Sequence, residues 1–113
     1  MTPCLFCGIA EGAVPAEIVA SDDRVVAFRD INPQAPIHLL VIPRAHVTSL
    51  ATLREDQIDL VTPLVAMVQH LAEHEGLVSG WRMVTNIGAD GGQTVDHLHL
   101  HLLGGRRMSW PPG

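Results

Sequence analysis

Lysine is absent from this chain of 113 residues, so all seven of its fixed side-chain cations are arginines. Twelve Asp and Glu outweigh them, for a net charge of −5. No basic run occurs, nor any alternation of basic and aromatic residues. Such a surface is not built to neutralise a row of phosphates, which argues against a nucleic-acid duplex or an anionic membrane as partner. A small phosphate compound stays in range, because one local pocket can hold an anion against the overall sign. No apolar stretch approaches the roughly 18 residues of a membrane span. The N-terminus lacks a basic segment followed by an apolar run, so no secretory signal is expected. Cysteine is confined to one pair, Cys4-x-x-Cys7. That spacing does not make a structural disulfide framework and leaves three readings: a redox dithiol, half of a zinc site, or an unmetallated pair. A reducing cytoplasm is the simplest setting.

The length fits one domain, residues 1–113, with a modest core; 47% of the residues are apolar. In chain order, residues 1–20 read as a leader, with a knuckle at Cys4–Gly8, one or two helical turns over Phe6–Glu11 and a short strand over Glu17–Ala20. Strands are expected over Val25–Phe28 and Ile37–Ile42, joined through Asn32-Pro-Gln-Ala-Pro36, a connection stiffened by two prolines. Thr52 and Glu55 have capping-box spacing. Helical periodicity runs from there to His74, through Ile58, Val61, Val65, Val68 and Ala72, and Gly76 stops it. Pro63 falls inside this pattern and predicts either a kink or a second helix capped by Thr62. A third strand is expected over Gly80–Ile87, then a glycine-rich loop over Gly88–Gly92. Four or five strands with one long helix and short connections make an α+β sandwich. The apolar strand 81–85 with Trp81 is a candidate surface for dimerisation.

The stretch that follows carries the chemistry. In His97-Leu-His-Leu-His-Leu-Leu103, strand geometry sends the imidazoles to one face and the leucines to the other, with neighbouring histidines roughly 6.5–7 Å apart. A core strand gains nothing by spending a face on imidazoles, since each buried ring needs hydrogen-bond partners. His99, at the centre, suits a nucleophile or general base held in one tautomer by its neighbours. The other readings are a satisfied core row and a row that binds metal directly. Thr94 can donate to a leaving group, and the amides of Gly91 and Gly92 can point inward. The Gly-x-x-x-x-Gly-Lys spacing of a phosphate-binding loop is missing. Cys4, Cys7, His46 and His97 make a Cys2His2 zinc set. Asp30 and Asn86, each at a strand end, are turn caps or ligand contacts; Phe6, Ile9 and Ile31 are core or an apolar slot for a base. His70 and His74, flanked by Glu73 and Glu75, read as a solvated helix face.

These motifs resemble the histidine-triad nucleotide-binding family, most closely its nucleoside phosphoramidate hydrolase (HINT-like) branch. The pattern His-φ-His-φ-His-φ-φ, φ being apolar, stands intact at 97–103. Gly91-Gly-Gln-Thr-Val-Asp-His97, Leu103-Gly-Gly-Arg106, Phe28–Pro36, Leu40–Arg44 with His46, and Trp110-Pro-Pro-Gly113 also fit. The resemblance implies a histidine-triad fold: a mainly antiparallel sheet of about five strands, one long helix and a short N-terminal helix. It implies a hydrolase that cleaves the P–N bond of purine nucleoside phosphoramidates and releases a nucleoside monophosphate. The superfamily alternatives are a dinucleoside polyphosphate hydrolase, a nucleotidyl transferase, or a binding module with little activity.

By the same resemblance His99 attacks the α-phosphorus to form a nucleotidyl-histidine and passes its own proton toward the leaving amine, while a carbonyl of a neighbouring strand orients its other nitrogen. His101 contacts the α-phosphate, His38 supports the cluster, and Thr94, serine in many relatives, bonds the bridging atom or the phosphate oxygens. Gly92, Gln93 and Asn86 line the phosphate pocket, Asp30 holds the ribose hydroxyls, and Phe6, Ile9 and Ile31 surround the base. Relatives of this branch resemble homodimers in which the Trp110 tail reaches the other subunit's site. Ser109 precedes that tail where some relatives have histidine. The cysteine pair is similar to that of bacterial-type members carrying structural zinc; catalysis requires no cofactor.

Overall fold

A computed structural model describes residues 4–113; the first three residues of the expected leader lie outside the described range. Helix α1 spans Leu5–Ala10, and strands β1 (Ile18–Ser21), β2 (Val25–Arg29) and β3 (Ile37–Pro43) follow. A 3₁₀ turn at Leu50–Thr52 and a second at Glu55–Leu60 lead into helix α2 (Val61–His74). Strands β4 (Arg82–Val84) and β5 (Leu100–Gly104) complete the α+β fold. The five strands form one sheet in the order β1-β2-β3-β5-β4, and every neighbouring pair is antiparallel.

The strand period of two divides the core. Val25 and Ala27 of β2, Leu39 and Val41 of β3, and Leu98, Leu100 and Leu102 pack on Leu64, Val68, Leu71 and Ala72 of α2. The alternate residues Val26, Phe28, Leu40 and Ile42 face the other way and pack on Phe6 and Ile9 of α1. The three leucines of the histidine stretch therefore do what alternation predicts. They hold the stretch down on the α2 side, so its imidazoles share the opposite face with α1.

The long helical segment opens as a 3₁₀ turn, and the expected Thr52–Glu55 box is not used. Thr52 instead closes a box with Ser49: the Ser49 amide donates to Thr52 Oγ1 at 3.2 Å. The Arg54 amide donates to Gln57 Oε1 at 2.9 Å. Pro63 neither kinks the helix nor starts another, and Thr62 is not its cap; α2 begins at Val61 with Leu60 before it. Pro63 thus lies in the first helical turn, where its missing N–H would have found no helical partner. Beyond Gly76, at φ +71°, the Leu77 amide closes onto Ala72 O at 3.0 Å and stops the helix as expected.

The third expected strand is shorter than its alternation suggests. Its ladder ends at the pair Val84–His101, and Thr85 turns its hydroxyl onto the His99 carbonyl at 2.8 Å instead. β4 is a sheet edge, and Trp81, Met83 and Ile87 along it are about two-fifths exposed, at 42%, 44% and 39%. Among the described residues no helix is long and apolar enough to cross a membrane.

Leu102 is fully buried between the sheet and α2. Leu102→Ala is expected to lower unfolding free energy by about 2–5 kcal/mol through the cavity it leaves. Urea denaturation measures this, and a cost below about 1 kcal/mol would mean that the layer is not packed as described.

Candidate active site

β5 and the residues before it deliver three imidazoles to the α1 face, and β3 adds His38. His97, His99 and His38 are buried and His101 is half-buried. The rings of His99 and His101 lie 5.0 Å apart, closer than bare strand spacing, because they tilt edge to face at 71°.

Each ring's tautomer follows from its partners, since a carbonyl only accepts and an amide N–H only donates. His99 Nδ1–H donates to the His97 carbonyl at 2.7 Å, so the lone pair of the neutral ring sits on Nε2. The orienting carbonyl therefore belongs to His97, two residues back in the same chain segment, and not to a neighbouring strand. Among the described residues no buried side-chain N or O lacks a partner. Nε2 of His99, which has no protein partner, therefore reaches the surface.

A second chain of bonds fixes His101. The Gln34 amide donates to His38 Nδ1 at 3.0 Å, and His38 Nε2–H then donates to His101 Nδ1 at 2.9 Å. The remaining nitrogen of His101, Nε2, carries the proton and faces out. Asp30 Oδ2 lies 3.4 Å from His38 Nε2, while Asp30 Oδ1 accepts from the Asn32 amide at 2.8 Å. Asp30, His38 and His101 are close enough to suggest a metal site. The two rings spend their facing nitrogens on each other, however. Burial, then the neighbouring charges of His99 and His38, push His101 down to about 4. Burial also lowers His38, against the pull of Asp30. Both rings are therefore neutral at pH 7.

The other cluster lies at the near end of the row. Cys4, at the N-cap of α1, and Cys7 bring their sulfurs to His46 and His97. Cys4 Sγ is 3.4 Å from His97 Nδ1, Cys7 Sγ is 3.3 Å from His46 Nδ1 and 3.5 Å from His97 Nδ1, and the two Nδ1 atoms are 3.2 Å apart. Four ligands at ordinary zinc distances on a tetrahedron have edges of about 3.3–3.8 Å, so the donors are already gathered to fit a metal ion. His97 Nε2–H donates to Pro43 O at 2.9 Å, leaving the Nδ1 lone pair turned toward the sulfurs. This is how a carbonyl partner readies an imidazole ligand. Burial is the main cause that lowers His97. Partial burial, then the Cys4 thiol, pushes the Cys7 thiol up to about 11. Both cysteines are free thiols.

A family model described as the HIT domain matches residues 11–108. The chain belongs to the HIT-domain family. A HIT family hydrolase from Legionella pneumophila Philadelphia 1 superposes with a TM-score of 0.95 at 49% identity, over 98% of this chain and 100% of that one. The chain is 46% identical to a 14 kDa zinc-binding protein of Zea mays, over 99% of its own length and 89% of the relative's. It is 44% identical to the adenylylsulfatase HINT1 of Arabidopsis thaliana, over 99% of its own length and 78% of the relative's.

The HIT chain's remaining candidate residues fall into three groups. Phe6 and Ile9 are buried; Phe6 sets its edge against Phe28, His97 and His99, with centroids at 5.4, 6.1 and 5.1 Å. Asn86 and Gln93 hold the glycine loop. Asn86 Nδ2 donates to Gly91 O at 2.7 Å. Gln93 Nε2 donates to Thr48 O at 2.7 Å and Val95 O at 3.0 Å, while its Oε1 accepts from the Gly88 amide at 3.0 Å. The Gly92 amide donates to Ala89 O at 3.0 Å within the loop. A Cβ on Gly91 would come within 2.3 Å of Ile87 O, so only glycine fits there. Thr94 and Ile31 are exposed, Ile31 fully, and Trp110 is 84% exposed and not gathered with the triad of its own chain. His70 and His74 stack at 6.2 Å on the exposed face of α2 and take no part.

Thr85, Pro43 and Gln34 escaped the sequence reading as site residues, although Pro43 and Gln34 hold the rings of His97 and His38 and Thr85 holds the backbone carbonyl of His99. Pro43 and Gln34 act through backbone atoms, which no residue type announces.

The lowered His101 implies a definite pH dependence. Folding favours the neutral ring, so the stability it gives is complete above the ordinary value of 6.5 and is lost as pH falls toward about 4. Denaturant unfolding is expected to show a loss across that window, of which His101→Asn removes roughly 2–3 kcal/mol after allowance for solvent screening. An acid limb of equal depth in both proteins would contradict it.

Proposed function

We propose that the chain is a hydrolase of the HINT-like branch that cleaves the P–N bond of purine nucleoside phosphoramidates through a nucleotidyl-histidine. The observation that carries this reading is the His99 ring. Its Nδ1–H is held on the His97 carbonyl, its Nε2 is open, and beside it stands a neutral His101 whose Nε2–H is free to donate. In the first step the His99 Nε2 lone pair forms a bond to the α-phosphorus as the P–N bond breaks. The tautomer gives His99 Nε2 no proton to pass on, so the departing amine takes its proton from water at the open side of the site, and the hydrolytic step returns one to solvent. Water then breaks the Nε2–P bond and releases the nucleoside monophosphate. His101 contacts the α-phosphate as a neutral donor, a role that does not require a charged imidazole in a buried place. The sequence of the phosphate-side loop, Gly92-Gln93-Thr94 with Asn86, and the position of Asp30 beside His38 fit a nucleotide lying with its phosphate toward His99. Phe6, Ile9 and Ile31 would line its base. The adenylylsulfatase name of the Arabidopsis relative supports an adenylyl group as the unit held.

Zinc is the metal proposed for Cys4, Cys7, His46 and His97. The thiolate–imidazole donor set and the name of the maize relative support it. Bound there, with four protein ligands, it would supply structural cross-linking.

A homodimer is proposed through the free edge of β4, in the reducing cytoplasm expected from the thiols. The exposed Trp81, Met83 and Ile87 support it. So does a cavity of about 820 Å³ between Leu77, Trp81, Arg82 and Arg106–Met108, which adjoins that edge and holds none of the histidines. Arg82 holds the C-terminal tail by donating to Ser109 O at 2.9 Å and Pro112 O at 3.2 Å, leaving Trp110 outside its own site.

Incubation with adenosine 5′-phosphoramidate is expected to release adenosine monophosphate, and His99→Ala to lower turnover by about 10³-fold or more, since the nucleophile has no substitute. Intact-mass analysis would detect the adduct in the wild type alone. Unchanged turnover in the mutant would refute the mechanism. Met83→Arg is expected to shift the sedimenting species from two chains to one. A wild type that already sediments as one chain would rule the homodimer out.

A further inference from the structure

The contacts that place His99 lie outside the strand ladder, apart from the Pro43 carbonyl at the end of β3. The β3–β5 ladder ends at the pair Val41–Leu100. Upstream of it, a single backbone bond pins the segment, from the Leu98 amide to Val47 O at 2.7 Å. The carbonyl that receives His99 Nδ1–H belongs to His97, inside this stretch. His97 is held by its side chain, which is fully buried. Its Nε2–H is on Pro43 O, and its Nδ1 lies within 3.5 Å of Cys4, Cys7 and His46. Phe6, between the two cysteines in α1, sets its edge against both His97 and His99. α1 is itself only six residues long, too short to be stable without such anchors.

We infer that the Cys4–Cys7–His46–His97 knuckle, when it holds its metal, is the device that fixes the tautomer and aim of the His99 ring. This inference rests on the reading of His99 as nucleophile and on the donor set as a metal site. Cys4, Cys7, His46, His97 and Phe6 are then positioning residues. With the donors tied together, His97 cannot rotate or withdraw, its carbonyl stays 2.7 Å from His99 Nδ1, and Nε2 keeps its lone pair toward the pocket. With the donors untied, His97 keeps its bond to Pro43 O and its packing but loses the cross-link to α1 and His46, so its carbonyl is held less tightly. His101 is exempt. It lies within the ladder, opposite Leu40, and its tautomer is set by His38 and the Gln34 amide on β3 and the loop before it. Loss of the metal therefore acts on one ring of the row and spares its neighbour.

The test compares wild type loaded with zinc and Cys4→Ser, with metal content by elemental analysis and the histidine ring nitrogens by ¹⁵N NMR at one fixed neutral pH. The loaded wild type is expected to show His99 as a single tautomer protonated on Nδ1. Cys4→Ser is expected to lose stoichiometric zinc and to show His99 averaging between tautomers, while His38 and His101 keep their signals. Turnover of adenosine 5′-phosphoramidate should fall about 10- to 100-fold in kcat, as for loss of an outer partner, with KM held near that of the wild type. A folded Cys4→Ser without metal whose His99 signals and kcat match the wild type overturns the inference. So does a wild type that binds no zinc yet shows the ordered His99. If Cys4→Ser does not fold, chelator-treated wild type replaces it: return of the His99 signature on adding zinc supports the inference, and an unchanged signature overturns it. A His99 signature that follows zinc in a protein with no turnover supports the positioning role and refutes the hydrolase reading alone.

Discussion

The hydrogen bond from His99 Nδ1 to the His97 carbonyl, 2.7 Å long, is the contact on which the rest of the site depends. An unattached imidazole presents either nitrogen and either protonation state. Donating Nδ1–H to an atom that can only accept removes that freedom. The cost is local: a backbone carbonyl must stand where no ladder partner claims it, in a segment that the sheet does not hold. Leu98 in the core, Thr85 on the His99 carbonyl and the knuckle around His97 together meet that requirement.

Burial does the complementary work on His101. Four imidazoles on one face would repel one another if charged, and desolvation adds to the penalty. The result is a row whose members differ by environment although their residue type is the same. His97 offers Nδ1 to the sulfurs, His99 keeps a bare Nε2, and His101 keeps a protonated Nε2. The last two atoms form a lone pair and a donor side by side, which is what attack at a phosphorus bearing negative oxygens calls for.

Much of this was legible in the residues. Period-two alternation placed the leucines on one face and the imidazoles on the other, and the cysteine spacing with His46 and His97 marked the donor set. What was not legible depends on backbone atoms brought from far along the chain. The carbonyl of Pro43 lies 54 residues from the ring it fixes. The carbonyl that accepts from His99 belongs to its own segment, where the family resemblance implied one from a neighbouring strand. The third strand was overestimated because alternation continues through Thr85, while its hydroxyl leaves the ladder for the His99 carbonyl. Pro63 was read as a helix breaker because composition does not show that the 3₁₀ turn precedes it and the α-helix starts two residues earlier. Of the glycine loop, the need for glycine was visible, but the bond from the Gly92 amide back to Ala89 O was not.

The exposed members of the proposed site argue for how it is completed. His99 and Phe6 are buried, whereas Ile31, Thr94 and Trp110 stand in solvent. Arg82 holds the tail by its backbone, so the indole is presented outward and not folded back. A buried reacting centre with an exposed rim fits a substrate whose phosphate must be placed narrowly and whose leaving group varies. The nucleophile is then fixed by the chain itself, and the surface that meets the leaving group is left to whatever closes over the rim. On the proposed homodimer that cover would be the partner's tail, and the part of the site that sets the reaction would then be separate from the part that selects among substrates.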